Sequence, residues 1–378
     1  NRAALSAAEP PVRFDLSTRG VDPGLFPFRT WARLQKELLY SSPQLLTHGD
    51  AQGDVELRQA LADYLEEYRG VRCTAEQVVV GAGMEYLLSL LAPLLPGKTA
   101  VENPGYQRAK QVLENNGVAC CCLPVDADGL SVEALSGSGA AVCYVTPSHQ
   151  FPTGVTMPAG RRTELLHWAS RCPGQRYIIE DDYDSEFRLT GKPIPALQSI
   201  DSADRVIYMN TFSKSLASTI RISYMVLPTA LAEAFYKNLG FYACTVSNLE
   251  QYTLAKFISE GYFEKHINRM RIRYKQKKDL ILKEMKRCGL LKLAKIDAED
   301  AGLHFLLRVC GPVPAEKITR RAAENGVRVT GLSAYYHTAP VNPQTAFVIS
   351  YSEIPDACIT EAVNRLAKAV TAAVMGER

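Results

Sequence analysis

The sequence has no CxxC pair, no HExxH and no Cys/His cluster at ligand spacing, so a protein-bound metal is not expected. It also has little charge of either sign in excess. Its 43 Lys and Arg against 40 Asp and Glu leave a formal net charge of +3, too mild to argue for nucleic acid or a membrane as a partner of these residues. Asn1–Pro11 holds no apolar run of signal-peptide or membrane-span length, which leads to the expectation of a cytoplasmic protein. Neither an internal repeat nor a low-complexity tract is visible. The ten cysteines are scattered, and Cys120, Cys121 and Cys122 fall in an apolar stretch that reads as a buried strand. Reduced thiols used for packing are therefore expected, not a disulfide framework.

What is present is enough for two units. A chain of 378 residues exceeds what one core usually organises. Asn1–Pro11, small and polar and ending in Pro-Pro, reads as a linker arriving from something upstream. Thr30 can cap a helix with Trp31, Leu34, Leu38 and Leu39 on one face, and a second amphipathic helix carries Leu57, Leu61, Tyr64, Leu65 and Tyr68. Seven short apolar strands then alternate with helix-length segments: Val78–Val80, Thr99–Val101, Val118–Leu123, Ala141–Thr146, Tyr177–Glu180, Val206–Met209 and Ile222–Leu227. Strands buried on both faces with crossover helices predict an α/β unit around a mostly parallel, doubly wound, seven-stranded sheet. Beyond Pro228 the pattern becomes long helices and a few strands, a smaller α+β unit that the N-terminal segment completes. The expected division is 45–290 for the large unit and 1–44 with 291–378 for the small one.

Several side chains that carry chemistry fall at predicted strand ends. Lys214, in Thr211-Phe212-Ser213-Lys214, follows the strand Val206–Met209, where open α/β sheets bind ligands, and burial there lowers a lysine's pKa. A lone loop lysine is more often merely solvated, so its neighbours decide the matter. Thr211 and Ser213 add hydroxyls and Arg221 a guanidinium fork suited to phosphate oxygens. Ala82, Gly83 and Met84 join a strand to a helix start whose free N–H groups favour an anion. The run Glu180-Asp181-Asp182-Tyr183-Asp184 follows another strand; taken alone it also fits a solvated acidic loop. Tyr106, after Asn103-Pro104-Gly105, offers an aromatic plate at a third strand end. An amine, a carboxylate, a hydroxyl donor, a flat ring and an anion cradle are together what pyridoxal 5′-phosphate requires of a protein.

These segments resemble the fold-type I pyridoxal-phosphate family, aminotransferase class I and II. Within it the wording looks like the MocR/GabR branch of the GntR superfamily, bacterial regulators in which a winged-helix DNA-binding domain precedes an aminotransferase-like domain. The matching phrases are Leu25-Phe26-Pro27, Gly49-Asp50-Ala51-Gln52-Gly53 with Leu57-Arg58, Glu102-Asn103-Pro104-Gly105-Tyr106, Thr146-Pro147-Ser148-His149-Gln150-Phe151-Pro152-Thr153-Gly154, Glu180 to Phe187, and Thr211-Phe212-Ser213-Lys214. The resemblance implies Lys214 as the Schiff-base lysine, Asp181 as partner of the pyridine nitrogen, Tyr183 on the ring hydroxyl and Tyr106 stacked on the ring. Ala82, Gly83, Met84, Thr211, Ser213 and Arg221 would hold the phosphate.

The chain also departs from the family. Phe151 stands where aminotransferases usually place the Asn that binds the ring hydroxyl, leaving His149 or Gln150 as substitutes, and His48 stands where a Tyr often reaches the neighbouring subunit's phosphate. No arginine lies in Phe347–Tyr351 to grip a substrate carboxylate; Arg108 and Arg328 are the replacements considered. The expected function is the sensing and dimerising domain of such a regulator, in which an amine or amino-acid effector forms an external aldimine, with DNA bound only through a domain outside this chain. The alternative is a free-standing aminotransferase. Direct DNA binding by the basic stretch Arg269–Lys278 is disfavoured against a solvated helix face.

Overall fold

A computed structural model describes residues 12–17, 20–41, 43–171, 175–189, 194–298, 302–340 and 344–376. The linker-like Asn1–Pro11 lies outside the described residues.

All seven expected strands form one sheet, and a two-residue strand, Gly129–Leu130, adds an eighth at its edge. In spatial order the strands are Val78–Gly81, Ser223–Val226, Val206–Thr211, Tyr177–Asp181, Val142–Val145, Thr99–Asn103, Cys120–Asp126 and Gly129–Leu130. The five from Val206–Thr211 to Cys120–Asp126 run parallel. Ser223–Val226 is antiparallel to both of its neighbours.

Each central strand sends alternate side chains to opposite layers, which is why the sequence reads as unbroken apolar runs. Tyr144, Tyr177 and Ile179 pack with helices Met84–Leu91 and Thr229–Leu239, while Cys143, Val145 and Ile178 pack with helix Ala159–Ser170. Because both faces are covered, access to the sheet is left at the strand ends.

A second, four-stranded antiparallel sheet contains Ala294–Asp297, His304–Val309, Ala346–Ser350 and Thr330–Gly331. Helices Ala315–Glu324 and Asp356–Met375 cover it. The strand Phe14–Asp15 pairs in parallel with Val327–Arg328, so the chain's beginning is stitched to its last third.

Several local expectations change. Helix Phe28–Ser41 begins two residues before Thr30, which therefore lies in its first turn and does not cap it, and Leu39 stays exposed beside the buried Trp31, Leu34 and Leu38. Cys120, Cys121 and Cys122 are half-buried because only the short Gly129–Leu130 ribbon lies beyond their strand. The nine cysteines among the described residues are free thiols. The basic stretch in helix Tyr262–Arg287 does present a solvated face, with Arg269, Arg273, Lys275 and Gln276 exposed, but its other side turns inward: Lys277 is buried against Asp22 at 2.7 Å and donates to the Ile354 carbonyl, and Arg271 donates to the Glu186 carbonyl. The two inward-facing cations, Lys277 and Arg271, fasten this helix to the rest of the chain. Among the described residues no helix is long and apolar enough to cross a membrane.

Candidate functional site

A cavity of about 720 Å³ opens at the carboxyl ends of the parallel strands. Its floor comes from residues at or just past the ends of those strands: Tyr106, Thr146, Asp181, Tyr183, Thr211, Ser213 and Lys214. Eight of the twelve residues singled out from the sequence line it, namely Met84, Tyr106, Asp181, Tyr183, Thr211, Ser213, Lys214 and Arg221.

Lys214 sits in the turn after Val206–Thr211 with part of its surface open to the cavity. Burial lowers its ammonium pKa, with Asp184 and Glu353 opposing that shift. A lysine held in this way has a larger unprotonated fraction with which to attack a carbonyl carbon.

Asp181 ends its strand only 5% exposed. Burial pushes its carboxyl up to about 7 against the stabilising Tyr144 hydroxyl, with Asp182, Asp184 and Glu85 adding to the rise. Oδ2 accepts from Tyr144, and Oδ1 has no partner in the protein. An orphaned buried carboxylate oxygen on a cavity wall is costly unless a donor arrives, and a protonated ring nitrogen is such a donor. Glu180 and Asp182 alternate away from the cavity, as strand periodicity dictates, whereas Asp184, past the strand end, lines it as well. Glu180 accepts the Leu197 and Gln198 amides, and Asp182 is clamped by Arg69 at 2.7 Å and by the Tyr208 hydroxyl at 2.7 Å. The run is thus buried and internally paired, not a solvated loop.

At the anion end, Thr211, Ser213 and Ser223 form a hydroxyl chain of 2.8–2.9 Å links beside Arg221. Arg221 adopts a left-handed φ of 53°, and Gly83 is needed beneath it, since a Cβ there would come 2.1 Å from the guanidinium. Ala82 and Gly83 do not line the cavity. The Ala82 amide donates to Thr245 and the Gly83 amide to the Gly81 carbonyl, so Met84 alone of the three borders the cavity.

Glu85, which sequence reasoning missed, lines the same end and contacts Arg221 at 3.0 Å, Arg108 at 3.2 Å and the Tyr106 hydroxyl at 3.2 Å. Burial raises its pKa, but its own backbone N–H, Arg221 and Arg108 outweigh that and hold it near 2. An acid in the first turn of helix Met84–Leu91 was the available signal.

The two suggested substitutes for the missing Asn are elsewhere. Gln150 is fully engaged, donating to Glu102 and to the Pro104 and Phe151 carbonyls while accepting from Thr153. His149 stands behind Tyr183, its Nδ1 2.8 Å from Asp184 and 3.1 Å from the Tyr183 hydroxyl. Its donor atoms, with those of Asp184 and His304, lie within 4.8 Å of one another, a grouping that no spacing in the sequence announces. Phe151 itself lines the cavity edge-on to Tyr106, Tyr183, His304 and Tyr335.

The facing wall comes from the last third of the chain: Leu303, His304, Ala334, Tyr335 and Ser350. Of the two arginines considered for a carboxylate, Arg108 lines the cavity, whereas Arg328 is tied to Asp15 at 2.9 Å away from it.

Comparison with known proteins identifies the family and the fold. Residues 21–366 match the family model for aminotransferase class I and II. The chain is 38% identical over 355 residues to an uncharacterised HTH-type transcriptional regulator, YdeL of Bacillus subtilis, covering 93% of this chain and 76% of that one. It is also 38% identical over 354 residues to the probable rhizopine catabolism regulatory protein MocR of Rhizobium meliloti, covering 92% and 70%. Among solved structures, an archaeal alanine:glyoxylate aminotransferase superposes with a TM-score of 0.84 at 27% identity over 95% of this chain and 90% of that one. A Pyrococcus horikoshii kynurenine aminotransferase in complex with PMP gives 0.81 at 25% identity over 98% and 93%.

Proposed function

The chain belongs to the class I and II aminotransferase family, in its branch of MocR-type HTH regulators, and from that premise we propose that it senses an amine or amino acid through pyridoxal 5′-phosphate held at Lys214. The observation that carries this reading is the cavity lined both by the half-buried Lys214 and by Asp181 with its orphaned carboxylate oxygen. When bound, the cofactor supplies an aldehyde that reacts with amines and an electron-withdrawing ring.

The protein's own groups do the rest. Lys214 offers the amine, kept partly unprotonated by burial. Asp181 would accept a hydrogen bond from the ring nitrogen at Oδ1, Tyr183 would serve the ring hydroxyl, and Tyr106 would pack on the ring. Thr211, Ser213 and Arg221, with the helix start at Met84, hold the phosphate. Leu303, His304, Tyr335 and Ser350, on the facing wall, would meet the effector and shield it from water.

We place the large unit at 45–290 and the small one at 1–44 with 291–378, a division supported by the separate four-stranded sheet and by the Phe14–Asp15 pairing. An effector touching both walls can then shift one unit against the other. Exposed Tyr40, Leu46 and Phe241 support a homodimer. DNA contact is assigned to the HTH portion after which the regulator relatives are named, outside these 378 residues.

The test is the absorbance spectrum with pyridoxal phosphate before and after a panel of amines and amino acids, beside Lys214→Ala. A visible band that needs Lys214 and shifts lastingly without keto-acid release is the expected result. A band absent from the parent would sink the cofactor assignment, and steady turnover with a 2-oxo acid would make the chain a transaminase.

A further inference from the structure

Tyr183 is the hydroxyl left to face the ring oxygen once Phe151 stands in the usual Asn place, so what controls the direction of its proton matters. Its Oη has two polar neighbours, His149 and Asp184. His149 Nδ1 is 2.8 Å from Asp184 Oδ2. A carboxylate can only accept, so in that contact Nδ1 is the donor. The same N–H lies 3.1 Å from Tyr183 Oη and is shared with it, so the imidazole and the phenol compete for the Asp184 carboxylate. The imidazole is fixed in this pose. It is 3% exposed, tilted against His304 at 4.6 Å between ring centres, and Gly302 passes so close that a Cβ there would fall 1.9 Å from Nδ1. His304 is held in turn by the Pro152 carbonyl.

We propose that His149 is the positioning residue of the site: by occupying Asp184 Oδ2 and donating to Tyr183 Oη, it competes with Tyr183 for that carboxylate and leaves the Tyr183 proton for the cofactor's ring oxygen. This rests on the pyridoxal-phosphate reading above. Without the imidazole, the Asp184 carboxylate is left to Tyr183 alone and competes with the ring oxygen for the phenolic proton. The other charged or titratable groups around the pair are Asp181 and Glu102 from the strand ends, His304 from the facing wall, Lys214, and Arg69 and Arg188 behind it.

The readout is the pH midpoint of the Lys214-dependent visible band, with melting temperature as a folding control. A hydrogen bond to the ring oxygen spreads its negative charge and weakens its hold on the neighbouring imine proton, so losing that bond raises the midpoint. Tyr183→Phe is expected to raise it by about half to one unit, the worth of one hydrogen bond. His149→Phe and the smaller His149→Leu should raise it in the same direction, whereas His149→Asn, whose amide keeps an N–H near the Nδ1 position, should stay with the parent. The inference is overturned if Tyr183→Phe shifts the midpoint and neither apolar variant does, or if His149→Asn shifts it as far as they do. A midpoint unmoved by Tyr183→Phe removes Tyr183 from the ring oxygen and the inference with it, while the persistent band keeps the cofactor reading. Loss of the band in the parent is the distinct failure of that reading.

Discussion

The wall of the cavity built by the large sheet is polar and committed, each group leaving a strand end with its partners already chosen: Asp181 with Tyr144, Thr211 with Ser213 and Ser223, Arg221 with Glu85. The wall facing it is mostly apolar or aromatic, comes from loops and strands more than eighty residues further along the chain, and carries Leu303, Ala334 and Tyr335 with Phe151 wedged between the two. A rigid polar wall suits a cofactor that stays. A facing wall of separately supported side chains suits a ligand that comes and goes, because its contacts can change without disturbing the strands.

This contrast can be broken. Asp181→Asn should weaken pyridoxal phosphate binding about 10–100-fold, the cost of one hydrogen bond to a charged group, in a titration followed by absorbance. An unchanged affinity would mean the polar wall does not hold the ring. Tyr335→Ala should leave cofactor affinity within about threefold while raising the amine concentration needed for half the spectral response about 2–10-fold, as expected for loss of one aromatic contact. Equal damage to both affinities would erase the division of labour between the walls.

The smallest effect concerns pH. Burial raises Asp181, Glu102 and Glu186 to about 7. Their folded-state pKa lies above the unfolded value, so the folded protein binds more protons and stability falls as pH rises through about 7. The buried His304 and His266, with lowered pKa values, work in the opposite sense below about 6.5, so the window is pH 6.5 to 8. The melting temperature of cofactor-free protein should drop across it by a few degrees, on the order of 1 kcal/mol or more. Asp181→Asn should shrink that drop, and a drop that Asp181→Asn leaves unchanged would show that Asp181 does not titrate between pH 6.5 and 8.

Most of the polar wall was legible because each of its groups follows an apolar strand within a few residues, and strand ends are where such sheets bind ligands. Glu85 escaped because its first-turn position is ordinary for a helix, and only Arg221 and Arg108, brought in from elsewhere, give it a role. The loss of Ala82 and Gly83 as phosphate donors could not be read either, since the acceptor for one of their amides, Thr245, lies 163 residues away.

The sequence by itself determined the order of strands and helices, the placing of Lys214 and Asp181 at strand ends and the family, because hydrophobic periodicity and contiguous motifs are local properties of a chain. Only the tertiary structure decided that Asp181 keeps an orphaned oxygen, that Lys277 is buried in a helix whose basic sequence reads as surface, and that His149, Asp184 and His304 meet behind Tyr183. These depend on which distant segments share a small volume, and side chains of ordinary type acquire their burial and their partners only when the sheets and loops close around them.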